Sequence, residues 1–297
     1  MTICAAGINQ ANPSKPCIII VCDRKLSLGA ISAEGMAWKV QTIHPKWRIM
    51  FAGPMSPLVA LIDAIKSVAA SAQYENLRQF ARLCSRAYRE ERKHIIETEI
   101  LAEHDIDSYA EYRSLKTNDR PFFDALGTKI KEAEAEWNLL FLGFDQVDKP
   151  HLFIITEYGK IQYCDAEGFA AIGSGAWAAW SALSRFGFNR FMPRGEAIYG
   201  VLAAKLAAEG TEGVGEETIF MIARPSDRLG RGVPGLGQDE IKKVRSEWKR
   251  LPRIPPGTAD RLDGYLRTVE TETPIKVDNP LKGYFTRSTS RKSKRVR

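Results

Sequence analysis

Thr2, Asp23 and Lys39 are the residues of this sequence whose types and places could together activate a nucleophile. A threonine hydroxyl attacks a carbonyl only when a base takes its proton. With Met1 removed, as is expected when a small residue follows it, Thr2 brings its own base. The freed α-amine has an unperturbed pKa of about 8, so it can accept a proton near neutrality. That amine needs a cation nearby to stay unprotonated, and the cation needs a carboxylate to hold it. Lys39, alone among apolar neighbours in WKV, and Asp23, closing IVCD, are candidates for these two parts. Thr2 also stands directly against strand-like sequence, where chains ordinarily start with a few loose residues. A fixed position is what an active-site threonine requires.

Other chemistry-bearing patterns carry less. Glu91 and His94 make one E-x-x-H, whereas a di-iron bundle needs two such motifs and further carboxylates, so a solvated helix face is expected. Gly230, Gly232 and Gly235 spell G-x-G-x-x-G, but Pro234 interrupts it and no βαβ unit surrounds it, which makes it a loop. Trp177 and Trp180, three residues apart, are expected to pack rather than bind. Cys4 and Cys22 lie in apolar strands and are expected to be inert buried thiols. Five cysteines without CxxC spacing suit neither a disulfide framework nor a zinc site, and a reducing cytoplasm fits them.

The elements that must position Thr2, Asp23 and Lys39 follow from hydrophobic periodicity. Strands are expected at Thr2–Ile8 and Cys17–Asp23, joined by the turn-rich NQANPSKP, with a short strand around Leu26–Ser32. Trp38–Ile43 and Trp47–Phe51 flank HP as a hairpin. Helical spacing then runs through LVALIDAIKSVAA and Asn76–His104, with further helical pieces at Asp107–Leu115 and Phe122–Glu136. Strands resume at Asn138–Phe144, His151–Thr156 and Ile161–Cys164. FAAIGSGAWAAWSAL passes from strand to helix at Gly173–Gly175, helix Arg194–Ala208 comes next, and a last strand spans Thr218–Ala223. Beyond Arg224, only Gln238–Lys249 reads as helical; PRIPPG is linker-like, and the polar remainder of the chain is expected to be loosely ordered. Strands, helices, strands, helices and a strand suggest two packed sheets with helices outside both.

The N-terminal Thr, the strand-ending Asp23 of IVCDRKLSLG, Lys39 of WKV, FAG at 51–53 and AIGSG at 171–175 resemble the proteasome β-subunits. They resemble equally the bacterial HslV-type peptidase, within the N-terminal nucleophile (Ntn) hydrolase superfamily. In that family the Asp and Lys lie sixteen residues apart, as Asp23 and Lys39 do. The resemblance implies an α+β fold, a four-layer αββα sandwich. It would occupy residues 1–224, with an enlarged helical segment at about 74–137 and a C-terminal extension at 225–297. It implies Thr2 as nucleophile with its amine as base, Lys39 tuning the amine and Asp23 orienting Lys39. Gly53 would donate its N–H to the oxyanion, and Ser174 would complete the network around the amine. It implies a threonine peptidase acting on a peptide or amide through an acyl-enzyme, no metal or organic cofactor, and a homo-oligomer, whether or not an ATPase partner feeds it. The sequence departs from the pattern just before the last strand, where the family has an Asp and a Ser and EGTEGVGEET has neither; Glu209 and Glu212 are the nearest substitutes. A non-catalytic scaffold of this fold, or a small-amide hydrolase, therefore stand as alternatives.

Composition bounds the rest. With 297 residues, 44% hydrophobic and 27% charged, the chain can bury a full core. Its apolar run Cys17–Cys22 is far too short to span a bilayer, so no membrane association is expected. Thr286–Arg297 carries six Lys and Arg and no acid, so only +1 of the formal +7 belongs to the remainder. That basic tail is expected to be disordered, with weak, salt-sensitive binding to a polyanion as its functional alternative.

Overall fold

The computed structural model describes residues 2–28, 31–33, 35, 38–54, 58–71, 76–132, 137–227, 235–250 and 257–271. One antiparallel sheet joins β1 (Cys4–Asn9) and β2 (Cys17–Asp23) to β10 (Phe169–Ile172) and β11 (Thr218–Ala223), in the order β10-β1-β2-β11. The other orders β5 (Val40–His44), β6 (Trp47–Ala52), β7 (Asn138–Phe144), β8 (Pro150–Thr156) and β9 (Lys160–Tyr163) as a meander. Between them in sequence lies a two-stranded ribbon, β3 (Leu26–Leu28) with β4 (Ile31–Ala33). Where a single short strand is expected around Leu26–Ser32 there are thus two antiparallel strands, their register running from Leu26↔Ala33 to Leu28↔Ile31.

Strands apolar on both faces have both faces buried, and β1 and β2 show how. Ile3, Ala5, Ile19 and Val21 point into a cluster shared with α5 (Ala176–Phe186) and α6 (Arg194–Ala208). Cys4, Ala6, Ile18 and Ile20 point the other way, into a cluster shared with Met50, Leu140, Leu142 and Ile154 of the second sheet. That sheet in turn sends Ile49, Phe51, Leu139, Phe141 and Phe153 into a third cluster with α1 (Leu58–Ser71) and α2 (Leu77–Ile95). Each fully buried Ile, Leu or Phe contributes about 1.5–3 kcal/mol, so the three clusters carry most of the driving force.

α2 continues without a break through a π-helical stretch, Ile96–Leu101, and a 3-10 turn, Ala102–His104, so the long helical segment expected over Asn76–His104 is present. α3 (Tyr109–Asn118) and α4 (Arg120–Glu132) fold back on it around Leu101, Tyr112 and Leu126. The C-terminal part corrects the expectation of looseness after the linker. Besides α7 (Gln238–Arg250), an eighth helix, α8 (Thr258–Thr271), seats Leu262 and Leu266, both fully buried, in the cluster around α6. Two leucines four residues apart make a one-stripe helix, too sparse to stand out in polar sequence yet enough to cover α6. The basic tail lies outside the described residues, as does residue 1. No helix of the described residues is long and apolar enough to cross a membrane.

Candidate functional site

Thr2 leads into β1 and Asp23 ends β2, and the Cys4↔Cys22 register brings the two together. Asp23 is fully buried and its oxygens collect five donors. Oδ1 accepts from the Thr2 hydroxyl at 2.8 Å, the Ile3 N–H at 2.9 Å and the Lys39 ammonium at 2.7 Å. Oδ2 accepts from the backbone N–H groups of Lys25 and Gly215, each at 3.2 Å. Lys39, directly before β5, is 5% exposed, and Thr2 is 6% exposed. Removing both charges from water is tolerable because the pair is matched at hydrogen-bond distance and the remaining lone pairs are occupied.

The GSG turn between β10 and α5 holds the other side of Thr2. The Thr2 N–H donates to Ser174 Oγ at 3.1 Å, and Thr2 O accepts from the Gly175 N–H at 3.1 Å. Gly173, at φ 94°, tolerates no side chain: a Cβ there would stand 2.3 Å from Thr2 O. The backbone approaches too closely for anything larger, and the left-handed conformation favours glycine independently. Gly53 follows β6, exposed and at φ 136°. The Cys4 thiol donates to Phe51 O at 3.6 Å, which sets the Thr2 end of β1 beside the end of β6 that carries Gly53. The structure brings Thr2, Asp23, Lys39 and Ser174 into one hydrogen-bonded set, with Gly53 two residues beyond the Cys4 contact.

Neither substitute for the missing acid reaches Thr2 in this network. Glu212 is exposed. Glu209 is held by Lys205 and by Arg245 of α7, whose Nη1 lies 2.8 Å from Glu209 Oε2. Lys205 is fully buried and also donates to Gly215 O at 2.9 Å and Glu216 O at 2.8 Å. Burial lowers the Lys205 pKa and raises that of Glu209, and in each case it outweighs the pairing that opposes it. Arg245 adds a bond to Glu216 O at 2.6 Å. Lys205 and Arg245 thereby fix the segment whose Gly215 N–H caps Asp23. Sequence reasoning missed this support, although Lys205 carried the signal used for Lys39, a lone lysine in an apolar run, here IYGVLAAKLAA.

The weaker motifs resolve separately. Cys4 and Cys22 are buried partners across β1 and β2, and burial holds the Cys4 thiol well above its usual range, which suits inert packing. Glu91 and His94 lie on α2. Most of the G-x-G-x-x-G stretch falls outside the described residues. Trp180 packs on Phe169 at 4.8 Å, but Trp177 corrects the expectation of packing: it is 84% exposed. With Gly173 and Ile172 it lines a hollow of about 420 Å³ next to the Thr2 turn.

No protein-family description and no curated protein matches the sequence. Solved structures do. The Gly-1 mutant of Anbu from Hyphomicrobium sp. strain MC1 aligns with 91% of this chain and 100% of its own, at a TM-score of 0.58 and 16% identity. Anbu from Yersinia bercovieri, described as an ancestral β-subunit, aligns with 94% of this chain and 100% of its own, at 0.56 and 14%. HslV from Trypanosoma brucei aligns with 74% of this chain and 99% of its own, at 0.45 and 18%. The chain has the α+β, proteasome-like fold of the Ntn hydrolases.

Proposed function

We propose that this protein is a threonine-type Ntn amide hydrolase, most simply a peptidase, built as a four-layer αββα sandwich and working as a homo-oligomer. The observation that carries the reading is the meeting of the Thr2 hydroxyl and the Lys39 ammonium on one buried oxygen of Asp23, with the Thr2 nitrogen on Ser174. Removal of Met1 turns that nitrogen into a free amine. The amine takes the hydroxyl proton as Oγ bonds to the substrate carbonyl carbon, and the Lys39 charge keeps it unprotonated beforehand. The Gly53 N–H is assigned to the oxyanion of the tetrahedral adduct. The protonated amine then returns its proton to the departing amine as the C–N bond breaks. Water, activated by the same amine, cleaves the resulting ester and frees Thr2. Asp23 changes no bond; it fixes Lys39 and the hydroxyl in register.

The second reading, a non-catalytic scaffold, is favoured by one observation: Glu209 is spent on Lys205 and Arg245, so the segment before β11 offers no acid to the Thr2 amine. Intact mass and a β-lactone probe separate the two. A hydrolase should lack Met1, take up one probe on Thr2 and cleave members of a peptide library. Thr2→Ala should abolish labelling and cleavage, and Thr2→Ser should retain part of each. Wild-type protein with a free Thr2 amine that neither takes up the probe nor cleaves peptide is a scaffold. Cleavage of small amides without peptides would place it among small-amide hydrolases.

A further inference from the structure

The helical insertion builds a second cavity that the Thr2 chemistry does not use. It encloses about 630 Å³ and is lined by Arg89, Arg92 and Lys93 of α2, Tyr109 and Arg113 of α3, and Tyr158 between β8 and β9. Small-molecule sites span roughly 300–1,000 Å³, so the space fits one. Arg89 stands three and four residues before Arg92 and Lys93 on one helix, the like-charge spacing that weakens a helix. Glu97 lies 3.5 Å from Lys93 and also accepts the Tyr109 N–H at 2.8 Å. Among the described residues no carboxylate comes within ion-pair distance of Arg89 or Arg113; Arg89 meets Ser85 O, and Arg113 lies over the Tyr109 ring at 5.5 Å.

A second, independent observation concerns Tyr158. It is 54% exposed and sits at φ 58°, a left-handed conformation that a tyrosine adopts only when its surroundings impose it. The turn is pinned to α2 by the Ser85 hydroxyl, which donates to Gly159 O at 2.6 Å. This strained turn carries the ring to the rim of the cavity, under the Arg92 guanidinium at 4.8 Å. Beyond Arg92, Tyr109 and Tyr158 a further hollow of about 410 Å³ opens, bordered by Tyr112 and Phe123, whose rings stack at 4.6 Å.

We propose that this cavity binds a nucleoside polyphosphate. The arginine forks and Lys93 match phosphate oxygens, and the balancing anion relieves the repulsion among them. The tyrosine rings offer faces on which a base stacks.

Calorimetric titration of the full-length protein with ATP, inorganic tripolyphosphate and adenosine tests this. ATP should bind one to one, tripolyphosphate more weakly and in competition, and adenosine not measurably. Arg89→Ala with Arg113→Ala should weaken ATP by at least about tenfold. Both side chains are exposed, and an unchanged Tm confirms the fold; Arg89→Lys with Arg113→Lys, keeping charge but losing the forks, should fall between. Tyr158→Gly, which relieves the strained backbone, should weaken ATP several-fold and leave tripolyphosphate unchanged. Absence of ATP binding by the wild type overturns the site. So does ATP binding that the double variant leaves intact, which assigns it elsewhere on the chain, the basic tail included. Tripolyphosphate binding as tightly as ATP, with Tyr158→Gly silent, overturns the nucleoside assignment.

Discussion

Asp23 and Arg113 mark opposite ways in which this molecule handles charge. Asp23 is fully buried and accepts from the Thr2 hydroxyl, the Lys39 ammonium and three backbone N–H groups. Arg113, on α3, is exposed and rests on a tyrosine ring beside three other cations. A buried charge must be matched inside the protein, because water is unavailable to it and an unmatched ion costs several kcal/mol. A largely exposed cluster of one sign is tolerable because water and salt screen it. The first arrangement fixes geometry, and the second invites a ligand.

The largest effect should come from Asp23→Ala. It leaves Lys39 buried without its partner, a change worth about 3–5 kcal/mol, so thermal denaturation should show a Tm lower by on the order of 10 °C. Arg89→Ala with Arg113→Ala should move Tm slightly upward if at all, since relief of like-charge neighbours on a helix is worth about 0.2–0.5 kcal/mol per pair. A large loss of Tm in that double variant would break the comparison, because the cations would then be matched within the fold.

Gly173→Ala should come next. Its Cβ meets Thr2 O and its φ is left-handed, so a loss of roughly 1–3 kcal/mol is expected by calorimetry. Displacement of Thr2 should also abolish β-lactone uptake although every titratable group of the site remains. Unchanged labelling would mean that Thr2 is positioned by Asp23 alone.

Arg245→Met should act more gently, at about 1–2 kcal/mol, through loss of charged hydrogen bonds to Glu209 and Glu216. Hydrogen exchange should quicken at the Gly215 amide before it quickens in β1. Equal protection in variant and wild type would free Asp23 of any dependence on α7.

The smallest effect is a pH dependence at a third charged cluster. Burial lowers the His151 pKa, but Asp165 at 2.6 Å and Asp145 at 3.2 Å raise it more, and it ends above its usual value. The stabilisation is therefore fully present below about pH 6.5 and is lost as the pH rises through the folded-state pKa. Tm measured from pH 6 upward should decline, and His151→Asn should flatten that slope. A slope of the opposite sign would show that burial wins over the two carboxylates.

Much of the fold was legible in the sequence where a run of side chains meets one environment. Helix Arg194–Ala208 and strand Thr218–Ala223 match their expected limits, because Pro193 before the helix and the glycine- and acid-rich turn between helix and strand leave little choice of boundary. The α8 helix was not legible, since its two buried leucines gain meaning only once α6 is there to be covered. Trp177 was misjudged for the complementary reason. Helical spacing says that residues 177 and 180 lie near one another, but it does not say that both turn toward the sheet.

The candidate site divides in the same way. Thr2, Asp23 and Lys39 could be singled out from the sequence because the chemistry of each side chain is written in its type, whereas Ser174 and Gly53 came only with the family resemblance. The Gly215 and Ile3 amides, the close approach at Gly173 and the Lys205–Glu209–Arg245 clamp were decided by tertiary structure alone. Backbone N–H groups are common to all residues but proline, so nothing in a one-dimensional string marks which one will face a carboxylate. The convergence of Arg113 with Arg89, Arg92 and Lys93 is of the same kind. The sequence supplied the cations, and the folding of α3 back along α2 made them a cavity.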